Sequence, residues 1–386
     1  MRYHSYLNSA KKIIETYRGD VPFAVFIKKY FSANKKYGGK DRKQIAALCY
    51  NFYRLGKAVP KLPIEEKIIV AVFLCEQTHN DFLHFHKPEW NELISNSLKD
   101  KLNLAGIPLD TLFPLADELS TGIEFESFTN SFFSQPDLFL RIRPGKEDRV
   151  VKKLQDAGIK FELLTDACIA LPNATKLEIV LDIDREVIIQ DYNSQQVLNF
   201  LKTENTGLKY PVSVWDCCAA SGGKSILASD IYEGNIQLTV SDIRESILSN
   251  LKKRFETACI KNYNSFMADL SIGNSQPSTF NPQLIICDAP CTGSGTWSRT
   301  PEQLYYFKQK SIDEYVNMQQ QIVSNTIPKL QKGGIFIYIT CSVFKRENEG
   351  MADFIKEKSH LQLIQMEFLK GYDKKADSMF VAVFKG

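Results

Sequence analysis

From Pro211 onward, short apolar runs alternate with amphipathic stretches, and no other feature of this sequence constrains its fold as strongly. The runs are PVSVWDCCA, QLTVSDI, SFMADL, PQLIICDAP, GGIFIYITCSV, LQLIQMEF and SMFVAVF. The stretches between them, including ESILSNLKKRFETACI, DEYVNMQQQIVSNTIPKL and NEGMADFIKEK, repeat apolar residues at three- and four-residue spacing. A run that is apolar at nearly every position suits a strand buried on both faces, and a helix between strands returns the chain for parallel pairing. The alternation predicts an α/β fold with a seven-stranded parallel sheet and helices on its faces. Ligands of doubly wound sheets bind beyond the carboxyl ends of the strands, so the residues just after each run are the ones to inspect.

The preceding half of the chain follows a different rhythm. From Tyr6 to about Asn130 apolar residues recur at helical spacing, as in Leu7, Ile13, Ile14 and Tyr17 and then Phe23, Phe26, Ile27, Tyr30 and Phe31. Gly38-Gly39 reads as a helix stop with Asp41 as the next N-cap, and IEEKIIVAVFLC reads as a buried helix. Between about Ser131 and Phe200 the pattern shifts to LFLRIRP, a helix over EDRVVKKLQDAG, then KFELL, CIALP and VIIQDY. Three domains are expected: a helical one over 1–130, a mixed α/β connector over 131–200, and the large α/β domain over 201–386.

Composition narrows the setting. With 44% hydrophobic and 24% charged residues, the 386-residue chain resembles an ordinary soluble protein. Lysines stand where a secretory signal has its apolar run, and no apolar stretch approaches the ~20 residues that cross a bilayer, which points to the cytoplasm and away from a membrane. Nine scattered cysteines without CxxC spacing fit a reduced compartment and argue against a zinc or thioredoxin-like site. Most thiols in such a chain are small buried hydrophobes, and the exceptions need a reason. Residues 1–62 carry 14 Lys and Arg against 3 Asp and Glu, an excess of 11 over a net charge of +3, so the remainder stands at −8. Such a segment is either a phosphate-backbone footprint or a solvated helix face.

The strand ends carry the chemistry. Asp216-Cys217-Cys218-Ala219-Ala220-Ser221-Gly222-Gly223-Lys224-Ser225 joins a strand to a helix through small residues, which let backbone N–H groups approach a ligand at a helix N-terminus. A phosphate loop would need glycine where Cys218 stands, and the dinucleotide GxGxxG is absent. Asp242 ends the next strand, where a carboxylate can accept from both hydroxyls of a ribose. Asp269 ends the third and can face an adenine edge, or serve only a turn. Asp288-Ala289-Pro290-Cys291 follows the wholly apolar LIIC, and Thr340-Cys341-Ser342 ends a further strand, followed by Arg346, Glu347 and Asn348.

Two thiols and a carboxylate thus converge beside a nucleoside-sized site. One reaction needs that set: C5 of cytosine takes an electrophile only after a nucleophile adds at C6, and a thiolate suits the addition. Asp288 can hold the pyrimidine N3 and exocyclic amine, a base must then take the C5 proton, and the second thiol can serve release. The base must leave its stack or be single-stranded to reach such a pocket.

The stretches DCCAASGGK, ICDAPCTGSGTWSRTPE and ITCSVFKRENE resemble, in order and spacing, three motifs of the RsmB/NOP/NSUN family of RNA 5-methylcytosine methyltransferases. VIIQDYNSQQV is similar to the family's strand-turn segment before the catalytic domain. FIKKYFSANKKYGGKDRKQIAALCYNFYRL resembles the NusB-like RNA-binding domain of its bacterial ribosomal RNA enzymes. The likeness covers about 185–386 closely and about 1–130 more loosely. It implies a Rossmann-like seven-stranded S-adenosylmethionine-dependent methyltransferase domain preceded by an all-α NusB-like domain and a small mixed connector. By matching motif it implies Cys341 as nucleophile and Cys291 in product release, whereas DNA cytosine methyltransferases attack with the proline-cysteine thiol. The S-adenosylmethionine cofactor would lie against Cys218, Ala219, Ala220, Ser221, Gly222, Gly223, Lys224, Asp242, Asp269 and Asp288, with Lys224 and Asp288 also at the target base.

Ser221 stands where the family usually carries proline, so a less rigid loop is expected, although Gly222 and Gly223 are retained. Asp-Ala-Pro-Cys also differs from the Pro-Pro-aromatic run of amino-methylating enzymes. No metal is implied, because a sulfonium is already an activated leaving group. The implied partner is structured RNA, small-subunit (16S) ribosomal RNA first and transfer RNA as the alternative, with no obligate protein partner evident. A non-catalytic RNA-binding factor on the same fold would be expected to have lost Cys291, Cys341 or Asp288, and all three are present.

Overall fold

The computed structural model describes residues 2–203, 206–273 and 280–386. The chain falls into two compact units, one holding the chain up to Leu119 with Glu124–Gln135 and Thr296–Lys308, the other Ser120–Ile123, Pro136–Gly295 and Gln309–Gly386. Among the described residues no helix is long and apolar enough to cross a membrane.

The first unit is helical. Its longer helices are α1 (Arg2–Thr16), α2 (Phe23–Ala33), α3 (Gly39–Arg54) and α4 (Ile64–Cys75). Their apolar faces meet in one core around Ile13, Phe23, Ile45, Phe52, Tyr53 and Phe73, all 0–1% exposed. Asp41 is not the N-cap of α3: the helix begins at Gly39, Gly38 caps it, and Asp41 sits at the third position, where its carboxylate accepts the Gly38 N–H at 3.2 Å. An acid in the first turn complements the exposed amides as well as a cap does, so the glycine pair opens a helix rather than closing one.

The second unit contains two sheets. The smaller is antiparallel, ordered β2 (Glu162–Thr165), β3 (Cys168–Leu171), β1 (Leu138–Ile142), β4 (Val187–Ile189), and carries the helix Glu147–Asp156. The larger has seven strands: β5 (Val212–Asp216), β6 (Ile236–Asp242), β7 (Tyr263–Met267), β8 (Leu284–Asp288), β9 (Ile335–Thr340), β10 (Gln362–Leu369) and β11 (Met379–Lys385). Their order is β10-β11-β9-β8-β5-β6-β7, a Rossmann-like arrangement. Six strands run in one direction, and β11 alone is reversed, antiparallel to both β9 and β10. The expectation of an all-parallel sheet fails there because only residues 370–378 join β10 to β11, and a parallel crossover takes about a dozen or more residues.

Boundaries expected at 130 and 200 meet a different grouping. The mixed segment shares a unit with the large sheet, joined by buried ion pairs: Arg141 and Arg143 reach Asp230 at 2.6 and 2.8 Å, and Arg254 reaches Asp184 at 2.6 Å. Asn193, in the segment before the catalytic sheet, donates to the carbonyls of Leu369 and Asp377. Residues 296–308 leave the large sheet's unit for the helical one. There Glu302 accepts the Phe23 N–H at 3.1 Å, buried Arg54 donates to the Ser298 carbonyl at 2.9 Å, and Tyr305 and Tyr306 pack on the core.

The path of the large sheet reverses at β5, from which β6 and β7 extend one way and β8 and β9 the other. The crevice between the ends of β5 and β8 is therefore the topological switch point, where a doubly wound sheet takes its ligand.

Candidate active site

The turn after β5 is held by backbone bonds to both neighbouring strands. Cys217 N–H donates to the Ile286 carbonyl at 3.0 Å and Ala219 N–H to the Ser241 carbonyl at 2.9 Å. Ala220 takes φ +46°, and its N–H donates to Asp242 Oδ2 at 3.1 Å. Gly222 has φ +82°, and a Cβ there would lie 2.6 Å from Phe255 Cε1, so position 222 excludes other residues on two counts. Gly223 opens the helix Gly223–Ile231 with free space around it. The looseness expected at Ser221 is countered by Arg254, which donates to its carbonyl and Oγ at 2.8 and 2.9 Å.

A cavity of about 560 Å³ opens at the switch point. Cys218, Ala220, Asp242, Asp269, Asp288 and Cys291 line it, together with Tyr315, Met318 and Ile322 of the helix Lys310–Thr326. The lining combines apolar Ile243, Leu270 and Ile322 with three carboxylates, which fits an adenosyl group carrying a cationic sulfonium. Asp242 is buried, and here its oxygens accept from Arg244 N, Nε and Nη2 at 2.9, 3.0 and 3.3 Å. Arg244 is 58% exposed, so its guanidinium can turn to solvent and leave the carboxylate to a ribose. Asp269 Oδ1 accepts from Ser271 N at 2.9 Å while lining the cavity.

At the mouth between β8 and β9 the reactive side chains meet in two pairs. Lys224 Nζ lies 2.6 Å from Asp288 Oδ2, and Cys291 Sγ lies 3.4 Å from Cys341 Sγ. Burial opposes the Lys224 charge, but Asp288 and then Cys341 outweigh it and raise the ammonium's pKa. The neighbouring Cys341 sulfur, together with burial, pushes the Cys291 thiol well above its ordinary value. Asp216, fully buried beneath them, is pushed up to about 7, mainly by burial.

A buried carboxylate sits behind the thiols. Glu347 Oε1 accepts from Thr292 N at 2.9 Å and Gln319 Nε2 at 3.0 Å, and Oε2 accepts from Thr292 Oγ1 at 2.6 Å and Ser342 Oγ at 2.5 Å. Burial raises its pKa, and the Ser342, Thr292 and Gln319 donors pull against that rise. Asn348 donates to the carbonyl of Ser342 at 2.9 Å and accepts from Thr340 Oγ1. Gly295 N–H donates to the Cys341 carbonyl at 2.8 Å, and a Cβ on Gly295 would fall 2.1 Å from the Ser378 carbonyl oxygen.

Of the residues singled out in the sequence, Cys218, Ala220, Asp242, Asp269, Asp288 and Cys291 share the cavity, while Lys224 and Cys341 complete the two pairs. Ala219, Ser221, Gly222 and Gly223 shape the turn and do not line the cavity. Sequence reasoning passed over Arg244, Gln319 and the cavity face of the helix Lys310–Thr326, where a period of 3.6 says nothing about ligands. Glu347 and Asn348 were visible only as polar neighbours of Cys341.

The fold is of the class found in S-adenosylmethionine-dependent methyltransferases, with the cavity at its switch point. Residues 200–383 match the family described as 16S rRNA methyltransferase RsmB/F. In this domain, a little under half of the chain, the protein is similar to the RsmB/NOP/NSUN family. It is similar to ribosomal RNA small subunit methyltransferase B of Escherichia coli (strain SMS-3-5 / SECEC), 27% identical over 238 residues that cover 58% of this chain and 52% of that protein. The chain spans about half the length of the curated relatives it matches. In fold it resembles crystallised PH0851, with a TM-score of 0.71 at 16% identity over 99% of this chain and 98% of that one. It also resembles NSun6 from Pyrococcus horikoshii, crystallised with SFG, with a TM-score of 0.60 at 13% identity over 72% and 96% of the two chains.

Proposed function

We propose that this protein is a cytoplasmic enzyme that methylates C5 of a cytosine in structured RNA, with Cys341 as nucleophile. The contact of 3.4 Å between Cys291 and Cys341, beside the Lys224–Asp288 pair and the cavity, is the observation that carries the reading. S-adenosylmethionine, bound in the cavity, supplies an electrophilic methyl group on a sulfonium. Its ribose hydroxyls would bond Asp242 and its adenine edge would face Asp269.

Cys341 Sγ, as thiolate, adds to C6 of the flipped cytosine, and the electrons move toward C5. Asp288 and Lys224 together hold a proton in a charge-assisted pair at the place where the pyrimidine N3 and exocyclic amine need one during the addition. After C5 has accepted the methyl group, a base takes the C5 proton and the sulfur–C6 bond breaks, returning its electrons to Cys341. Cys291, with its raised pKa, keeps its proton near neutral pH and is placed to assist that release. The relatives' names favour small-subunit ribosomal RNA as substrate, and transfer RNA is the alternative. The helical unit, with its basic amino-terminal segment, would dock the RNA backbone.

Mass spectrometry of RNA and protein after incubation with S-adenosylmethionine tests the reading. Unaltered protein is expected to yield 5-methylcytosine, Cys341→Ala to yield neither product nor protein–RNA adduct, and Cys291→Ala to accumulate adduct. Adduct retained by Cys341→Ala but lost in Cys291→Ala would reverse the thiol roles. Unaltered protein inert on both ribosomal and transfer RNA would favour a binding factor instead.

A further inference from the structure

Each thiol is followed by a hydroxyl residue, Thr292 after Cys291 and Ser342 after Cys341, and both hydroxyls donate to Oε2 of one buried carboxylate, Glu347. The same carboxylate accepts the backbone N–H of Thr292, while Gln319 donates both to Glu347 Oε1 and, at 2.9 Å, to the carbonyl of Pro290. Cys291 is therefore gripped on both sides, at Pro290 through Gln319 and at Thr292 through Glu347. Cys341 is gripped at Ser342 through the same carboxylate. Of the four bonds to the Glu347 carboxylate, three come from the two loops that present the sulfurs and the fourth from Gln319, which itself holds Pro290.

We propose that Glu347 and Gln319 are positioning residues that set the distance between the two thiols. The inference rests on the reading of Cys341 and Cys291 as the reacting pair, but the distance itself is a property of the protein without RNA. In Glu347→Gln the glutamine could still satisfy all four partners, its oxygen facing the two N–H donors and its NH₂ the two hydroxyls. The informative change is therefore Glu347→Leu, which leaves no acceptor for Thr292, Ser342 or Gln319 and opens the grip on both loops. Gln319→Met keeps the bulk of the helix contact but releases Pro290 and one oxygen of Glu347. Either change frees the Cys291 loop while leaving the cavity walls in place.

The test uses diamide on the full chain. This diazene takes two thiol hydrogens with their electrons, becomes the hydrazine, and leaves a Cys291–Cys341 disulfide that mass spectrometry counts. Both variants are expected to form that disulfide on the order of tenfold more slowly and to lose methyl transfer by about 100-fold, while binding S-adenosylmethionine within about twofold of the parent. Equal disulfide rates in parent and variants would overturn the proposal. So would a melting temperature and S-adenosylmethionine affinity that collapse along with the disulfide rate, or failure of both variants to fold, because Glu347 would then act as general scaffolding. If the parent methylates no RNA, the functional reading fails, and the disulfide rate still decides the positioning role.

Discussion

Asp216 ends β5 with one oxygen accepting Ser225 Oγ at 2.6 Å and the other, Oδ1, without a partner. Burial, reinforced by Asp288 and opposed by Ser225 and Lys224, lifts its carboxyl from 3.8 to about 7. Between those values the folded protein holds a proton that the unfolded chain has released. Stability therefore falls as pH rises through this window, by about 4 kcal/mol if Asp216 acted alone. Asp216→Asn keeps an acceptor for Ser225 and has no proton to lose. The melting temperature of the variant is expected to gain on that of the parent from about pH 4 to about pH 7, and a constant difference would show that Asp216 does not titrate there. Asp288, Cys291 and Cys341 could be singled out in the sequence because each stands at or within three residues of the end of an apolar strand, where the fold class places ligands. Gln319 was not, because a buried amide inside a helix becomes meaningful only through the Pro290 and Glu347 groups that folding brings to it.

At the level of elements, most strands and helices could be read from periodicity, including the four short strands before the large sheet. What periodicity could not supply was direction: β10 and β11 look like the parallel strands before them, and only the shortness of 370–378 forces the final antiparallel turn. The turns were read for their glycines, but their stiffness comes from distant side chains. The turn after β5 has Ser221 where the RsmB/NOP/NSUN family usually carries proline and borrows rigidity from Arg254 on the helix Glu245–Thr257, itself fixed by Asp184 through a two-pronged contact. Lysine cannot reproduce that fork. Arg254→Lys is expected to weaken S-adenosylmethionine binding about three- to tenfold, 1 kcal/mol or so, as read by calorimetry. Unchanged affinity would mean that the turn is rigid without the arginine. Gly295→Ala drives a methyl group into the Ser378 carbonyl and so separates the proline-cysteine loop from β9 and β11. A loss of about 2–3 kcal/mol in urea unfolding is expected, and a change below about 0.5 kcal/mol would show that the loop moves aside freely.

For the whole molecule, the division into a helical part and a sheet part could be read from the change in periodicity, but the membership of residues 296–308 could not. That segment follows the proline-cysteine motif directly, and its place with α2 and α3 depends on Glu302, Arg54 and a tyrosine pair whose partners lie more than two hundred residues away. Charge was more legible: the +11 of residues 1–62 resolves into exposed Lys28, Lys29, Lys35 and Lys36 along the end of α2 and the turn after it, with Lys36 stacked over Tyr37 at 5.1 Å. If this surface contacts RNA phosphates, each lysine displaces counterions on binding, whatever the base sequence. Replacing all four with glutamine should then weaken binding to ribosomal and transfer RNA alike and flatten the slope of log affinity against log salt by up to about 3. Fluorescence anisotropy across a salt series reads both quantities. A weaker complex with an unchanged slope would mean that these lysines act through the fold of α2 and not through phosphates. An unchanged complex would move the RNA footprint elsewhere, and the amino-terminal charge would then be a solvated helix face.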